Sequence, residues 1–331
     1  MLAGDIGGTK TNLGVFELGG AGPVPVEERR YSNGEYAGFE DLLARFLADA
    51  ARGIEFTACA FGVAATVEDR SRCRLVNIDW AIDGEALSRR FGLGPVALLN
   101  DLAATAWGLE GLGEDDLEPL QKAPAREGNA ALIAAGTGLG EAILFRHGSR
   151  LIPSASEGGH CDFAPRDETE TELLAYLKGR FGHVSYERVV SGPGLKNIYD
   201  FLRTVEGLDE PEELARRLAG EDPPSVIADE AIRGVHPICV EALRIFVSVY
   251  GAEAGNLALK SLATGGLYVG GGIAPRIIEA LRNGPFIEAF TDKGRFRDVL
   301  SRIPVHVVMN PKTALLGAAR YCSAGLEAAF L

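Results

Sequence analysis

Two polar clusters in this chain stand where chemistry is commonly done. Asn100-Asp101 closes a short apolar run, Pro95 to Leu99, and opens a helical stretch, Leu102 to Leu109. A carboxylate at the C-terminal end of a strand can take the proton of a substrate hydroxyl as a general base. The same residue types are favoured helix N-caps, so a local role stands beside the catalytic one. Glu157-Gly158-Gly159-His160 is the second cluster. An acid and an imidazole three residues apart, with only glycine between, can face one small polar ligand, or simply form a solvated loop. A metal centre is disfavoured there, because no third ligand lies nearby in sequence. Asn77, close before Trp80, could bond a hydroxyl. Glu187, after Gly182 to Tyr186, reads in isolation as a surface residue. Amides, carboxylates and an imidazole without a cationic cluster suit a neutral polyol better than an acid.

Three glycine loops supply a different chemistry. Gly4-Asp5-Ile6-Gly7-Gly8-Thr9-Lys10-Thr11 lies between apolar runs at Met1 to Ala3 and Asn12 to Phe16, the pattern of a β-hairpin. Its paired glycines permit positive φ, and successive N–H groups in such a turn form a nest for an anion. Asp5 puts a carboxylate where a phosphate-bound Mg²⁺ would stand. An ordinary glycine-rich hairpin has the same pattern. The plan returns about 130 residues later, with Ala130 to Ala135, then Gly136-Thr137-Gly138-Leu139-Gly140, then Glu141 to Phe145. Two such nests could hold different phosphates of one nucleotide. Gly270-Gly271-Gly272 follows a third apolar run and would let backbone pass close to a ring or sugar. Neither the dinucleotide GxGxxG fingerprint nor the P-loop spacing is met, and no HExxH, EF-hand or Gly-x-Ser-x-Gly pattern occurs.

The elements that must position these residues alternate between strands and helices. Phe39, Leu42, Leu43, Phe46, Leu47 and Ala50 fall on one helical face. Thr57 to Ala64 is apolar without alternation, as in a strand buried on both sides. Further strands are expected near Glu27 to Tyr31, Cys73 to Ile78, Leu267 to Val269 and Pro304 to Met309. Helices are expected at Thr169 to Phe181, Pro237 to Leu262 and Thr313 to Phe330. Gly111 to Glu127, charged and turn-rich, reads as a hinge. The pattern is α/β with mixed sheets.

Bulk properties exclude several classes. The 331 residues suit about two domains. The net charge of −13, with no basic stripe to offset it, argues against nucleic acid and anionic membranes as partners. No apolar run approaches the roughly 20 residues of a membrane helix, and no signal peptide is expected. The five cysteines are scattered without a CxxC pair, so reduced thiols in a cytoplasmic protein are expected rather than disulfides or zinc.

Taken together and in order, these residues resemble the bacterial glucokinase family of the actin-like ATPase and hexokinase superfamily. The resemblance runs through GDIGGTK at 4–10, AFGVA at 60–64, VNIDW at 76–80, LLNDLAATA at 98–106 and AAGTGLG at 134–140. It continues through SEGGHCDFAP at 156–165, GHVSYERVVSGPGLKNIY at 182–199, GNLAL at 255–259, YVGGGIAPR at 268–276 and DKGRFRD at 292–298. The related ROK kinases share the first hairpin but carry a cysteine-rich zinc motif, which this chain lacks. Lys10 and Ser156 depart from some members, which have Asn and Gly there.

The resemblance implies a two-lobed actin-like (ribonuclease H-like) α/β fold, with mixed sheets flanked by helices and an active site in the cleft between the lobes. A smaller domain would take residues 1–110 and 313–331, and a larger one residues 111–312. Asp101 would be the general base on the sugar 6-hydroxyl. Asn77, Asn100, Glu157, His160 and Glu187 would bind the other hydroxyls. Gly4, Asp5, Ile6, Gly7, Gly8 and Thr9, with Gly136, Thr137 and Gly138, would hold the phosphates of ATP, and Gly270, Gly271 and Gly272 would lie by the adenosine. Asp5 would serve Mg²⁺, through water. The activity implied is ATP-dependent phosphorylation of glucose at O6 in a cytoplasmic homodimer. A kinase of mannose, fructose or an amino sugar, or a non-catalytic sugar- or ATP-binding relative, is the alternative.

Overall fold

A computed structural model describes residues 1–20, 22–69, 71–75, 78–124 and 126–329. The chain divides into two compact units, one of residues 1–116 and 310–331 and the other of residues 117–309. Among the described residues no single helix is long and apolar enough to cross a membrane.

The first unit is built on a sheet begun by the opening hairpin. β1 (Leu2–Ile6) pairs antiparallel with β2 (Lys10–Gly19), which pairs antiparallel with β3 (Gly22–Ser32). On the other side β1 runs parallel to β4 (Cys59–Val63). A small separate sheet holds β5 (Val67–Glu68), β6 (Arg72–Arg74) and β7 (Ala81–Asp83). Of the expected strand over Cys73 to Ile78, β6 takes Cys73 and Arg74, and residues 76 and 77 lie outside the described residues. β8 (Val96–Asn100) runs parallel to β4 and completes the order β3-β2-β1-β4-β8.

Side-chain alternation sorts this sheet's two faces. Leu2, Ile6, Cys59, Phe61 and Val63 point into one core with Phe39, Leu42, Leu43 and Phe46 of the helix Phe39–Ala50. Ala3, Phe16 and Ala60 point the other way, against Leu315, Ala318, Ala319 and Cys322 of the helix Thr313–Ala329. That helix also closes on the helix Asp101–Gly108, and a Cβ on Gly317 would lie 1.7 Å from the Ala104 carbonyl oxygen. The contact is backbone on backbone, so no side chain fits.

The second unit repeats the plan with one extra strand. Its strands are β9 (Leu117–Gln121), β10 (Ala130–Ala135), β11 (Leu139–His147), β12 (Arg150–Ser156), β13 (Gly266–Gly270) and β14 (Val305–Val308), ordered β12-β11-β10-β13-β14-β9. Again a hairpin and a third antiparallel strand lie on one side of the first strand, and parallel strands on the other. The segment expected to be a hinge holds the boundary between the two units, at residues 116 and 117, and also contains β9, which pairs antiparallel with β14 at the sheet's edge. An edge strand tolerates polar residues, so its charges do not reveal it.

The helix Pro237–Ser261 is buried along most of its length and forms the centre of this unit's core with Tyr199, Phe246, Phe286 and Phe290. The helices Gly192–Thr204 and Pro223–Ile232 escape periodicity-based expectation because their starts look like breakers. Ser191 and Asp222 cap them, with proline in the first turn, where a missing N–H costs nothing.

Candidate active site

In the first unit the register of three parallel strands aligns the acidic residues. Asp5 on β1 stands opposite Gly62 on β4, and Gly62 stands opposite Leu99 on β8, two residues before Asp101. Asn100 caps the following helix, its Oδ1 accepting from Leu102 N at 2.9 Å while its Nδ2 donates to the Ala65 carbonyl at 3.3 Å. The amide of Asn100 thus spends bonds on the fold itself. Asp101 Oδ1 also accepts from Leu102 N, at 2.8 Å. The Asp101 side chain reaches solvent. Even so, the mass of protein around it lifts its pKa above the ordinary carboxylate value, against the lowering by backbone N–H groups. Among the described residues no basic side chain pairs with it.

Asp5 is more strongly perturbed. Burial pushes its pKa up to about 6, and the nearby charge of Asp101 adds to the rise. Asn12 Nδ2 donates to its Oδ2 at 3.3 Å and opposes it in part. A desolvated hard-oxygen donor with a second carboxylate acting on it fits a divalent cation such as Mg²⁺.

The first glycine turn is held from outside by a residue that sequence reasoning passes over. Asn33 is fully buried. Its Nδ2 donates to the Gly7 carbonyl at 2.8 Å, its N–H donates to the Thr9 carbonyl at 2.9 Å, and its Oδ1 accepts from Thr11 Oγ1 at 2.8 Å. Gly7 N closes the turn onto the Lys10 carbonyl at 3.0 Å. Gly7 does not adopt the positive φ that its place in the turn suggests. The only trace of Asn33 in the sequence is a polar residue after a strand.

In the second unit the candidate groups converge on Leu139. Gly136 N donates to the Gly138 carbonyl at 2.8 Å, closing the second glycine turn, and a Cβ on Gly136 would meet open space. Glu187 Oε2 accepts from Leu139 N at 3.0 Å, and a Cβ on Gly138 would lie 2.5 Å from that oxygen. Glu187 is therefore not the free surface residue that its local sequence suggests; it braces the turn. Gly192 N donates to the Gly136 carbonyl at 2.8 Å, so the capped start of the helix Gly192–Thr204 lies against the same turn. Gly271, at φ +83°, passes directly over Ala135, where a Cβ would fall 2.2 Å from the carbonyl oxygen. Gly272, by contrast, faces open space.

The Glu157–His160 turn sits on the start of β11, since a Cβ on Gly159 would come within 2.0 Å of the Leu139 carbonyl oxygen. Ser156 Oγ accepts from Gly158 N at 3.2 Å, so the departure at Ser156 supports the turn. Tyr186 N donates to the Cys161 carbonyl at 3.0 Å, tying the turn to the segment carrying Glu187. The side chains of Glu157 and His160 are 92% and 60% exposed, with 3.9 Å between Oε2 and Nε2. Both point outward and are free for a ligand. Asn77 lies outside the described residues.

The geometry gathers Asp5, Asn100, Asp101 and the first glycine turn in one unit. It gathers the second turn, Glu157, His160, Glu187 and Gly270–Gly272 in the other. Comparison with known proteins agrees with the sequence resemblance. The glucokinase family model matches residues 2–324. A glucokinase of Synechocystis sp. is 41% identical, covering 96% of each chain, and one of Nostoc sp. is 40% identical, covering 98% of this chain and 99% of the other. The crystal structure of a glucokinase from an Antarctic psychrotroph superposes with a TM-score of 0.86 at 28% identity, covering 98% of each chain.

Proposed function

The chain belongs to the glucokinase family and has its actin-like ATPase fold, and on that premise we propose how its residues phosphorylate D-glucose at O6 with ATP. The observation that carries the reading is the placement of Asp101. It is a solvent-reached carboxylate at the end of a parallel strand, with raised proton affinity and no basic partner among the described residues. Such a group can take the proton from O6 as the oxygen attacks the γ-phosphorus in line. General-base help of this kind is worth about 10²–10⁴ in rate. The rest of the barrier is lowered by orientation and charge neutralisation.

Glu157 and His160, outward-pointing on a braced turn, would bind sugar hydroxyls, and Asn100 and Asn77 would add to them. Glu187 already accepts the Leu139 N–H, so its remaining oxygen would be the one to meet the sugar. The turns Gly4–Thr9 and Gly136–Gly138 would offer N–H groups to the phosphates. Gly271 and Gly272, crowded on one side and open on the other, leave room for a flat adenine or ribose. Mg²⁺, held near Asp5 through water, would neutralise phosphate charge. A homodimer working in the cytoplasm completes the reading.

A coupled assay with ATP and a panel of glucose, mannose, fructose and glucosamine tests it. Glucose should give the highest kcat/KM. Absence of turnover with every sugar would remove the enzyme reading, and preference for another hexose would change the substrate.

A further inference from the structure

Beneath the Glu157–His160 turn lies a buried acid that the reaction does not use. Glu141, on β11 opposite Ser156 of β12, is 1% exposed. Its Oε1 has no hydrogen-bond partner. Its Oε2 fills the space under the turn so closely that a Cβ on Gly158 would lie 1.9 Å away. The side chain is thus what Gly158 rests on.

A second buried acid faces it. Glu253, on the helix Pro237–Ser261, is fully buried, and its charge acts on Glu141. Glu253 accepts from Asn256 Nδ2 at 2.7 Å and from Lys260 Nζ at 3.3 Å, and Asn256 Nδ2 also donates to the Tyr186 hydroxyl at 3.1 Å. We propose that Glu141 is a positioning residue for the sugar turn: as a neutral acid it supports Gly158, and on ionising near Glu253 it moves and shifts Glu157 and His160.

The charges around the pair agree with this. Glu141 feels Glu253 and Lys260, both from the helix Pro237–Ser261, and Tyr250 of that helix feels Glu141 in turn. Tyr186 approaches Glu253 from the short turn Tyr186–Arg188, and Lys293 reaches the cluster by donating to Asn256 Oδ1 at 2.7 Å. Arg166, Lys260 and Asp292 act on Lys293. The overlying turn carries Glu157 and His160. Burial and the Glu253 charge push Glu141 up to about 8, so the neutral acid prevails at neutral pH and fades just above it.

The proposal rests on reading Glu157 and His160 as sugar ligands, and its test separates the two. Steady-state kinetics of the wild type and Glu141→Gln from pH 7 to 9 give the first arm. If only the neutral form binds sugar well, the wild-type KM for glucose rises about tenfold at pH 9 while KM for ATP stays flat. Glu141→Gln, a permanent neutral donor, should match the wild type at pH 7 and lose the rise. An equal rise in Glu141→Gln, or none in the wild type, would overturn the proposal.

Amide hydrogen exchange across residues 156–161, corrected for base catalysis, gives the second arm and needs no turnover. Exchange should quicken at pH 9 in the wild type and not in Glu141→Gln. Should the variant not fold, unchanged wild-type exchange between pH 7 and 9 overturns the proposal by itself. A protein that phosphorylates no sugar yet shows the exchange change would refute the enzyme reading and leave the positioning role standing.

Discussion

Asp5 and Asp101 stand at the carboxyl ends of two parallel strands, β1 and β8, with one strand between them, and the charge of Asp101 adds to the burial that raises the proton affinity of Asp5. Asp5 is half-buried and Asp101 exposed, so the two like groups suit different tasks. The more enclosed one suits a cation, and the open one suits a proton.

Asp101→Asn should keep the carboxylate's shape and the bond from Leu102 N while removing the base. We expect kcat to fall by about 10²–10⁴ with KM for glucose within a few-fold. Steady-state kinetics decide it, and a variant keeping more than about a tenth of wild-type kcat would reassign the base.

Asp5→Asn separates function from stability. The folded-state pKa of Asp5 is raised from 3.8 to about 6, so the folded protein holds a proton there that the unfolded chain has released. Stability therefore falls as pH rises through that window, and the full cost is present at pH 7. Removing the charge should stabilise the metal-free protein at pH 7 by on the order of 2 kcal/mol, and by little near pH 4. Denaturant midpoints at the two values, beside a large loss of turnover, check both halves. Equal effects at both pH values would contradict the sign.

Asn33→Ala deletes the bonds to Gly7 O and Thr11 Oγ1 inside a fully buried site. The expected cost is about 1–3 kcal/mol, because the Gly7 carbonyl is left without its partner. KM for ATP should rise while KM for glucose stays near wild type, since the loosened turn is the first glycine turn. An equal rise in both would point to general loss of structure.

Two glycine substitutions near Leu139 should part company. Gly159→Ala would drive a Cβ into the Leu139 carbonyl and cost several kcal/mol, whereas Gly136→Ala meets open space. Thermal unfolding should show a large drop in Tm for the first and almost none for the second. Gly136→Ala should instead raise KM for ATP, because its methyl occupies space offered to phosphate.

Much of the candidate site was legible because it is written in local chemistry. Two glycine hairpins, an Asn-Asp pair after an apolar run and a Glu-Gly-Gly-His loop each carry their meaning within a few residues. Glu187 and Asn33 differ. Each braces a turn that lies more than 20 positions away, the first through Leu139 N and the second through Gly7 O. Nothing in their own neighbourhood marks them.

The edge strand β9 was hidden for a related reason, since its partner β14 lies far along the chain and its charges imitate a loop. The helix starts at Ser191 and Asp222 were hidden because proline and glycine signal breaks until the cap is seen.

By itself, then, the order of motifs determined the family, the sheet-and-helix class and the residue types available for phosphate, sugar and proton. Periodicity and turn chemistry act over a few residues, and a linear chain displays them. Only the tertiary structure decided which groups share a charge, a proton or a carbonyl. Burial, with the charge of Asp101 across an intervening strand, pushes Asp5 up, and burial, with the charge of Glu253 from a distant helix, pushes Glu141 up. Desolvation and Coulomb coupling depend on separation in space, and the chain sets that distance only when it folds.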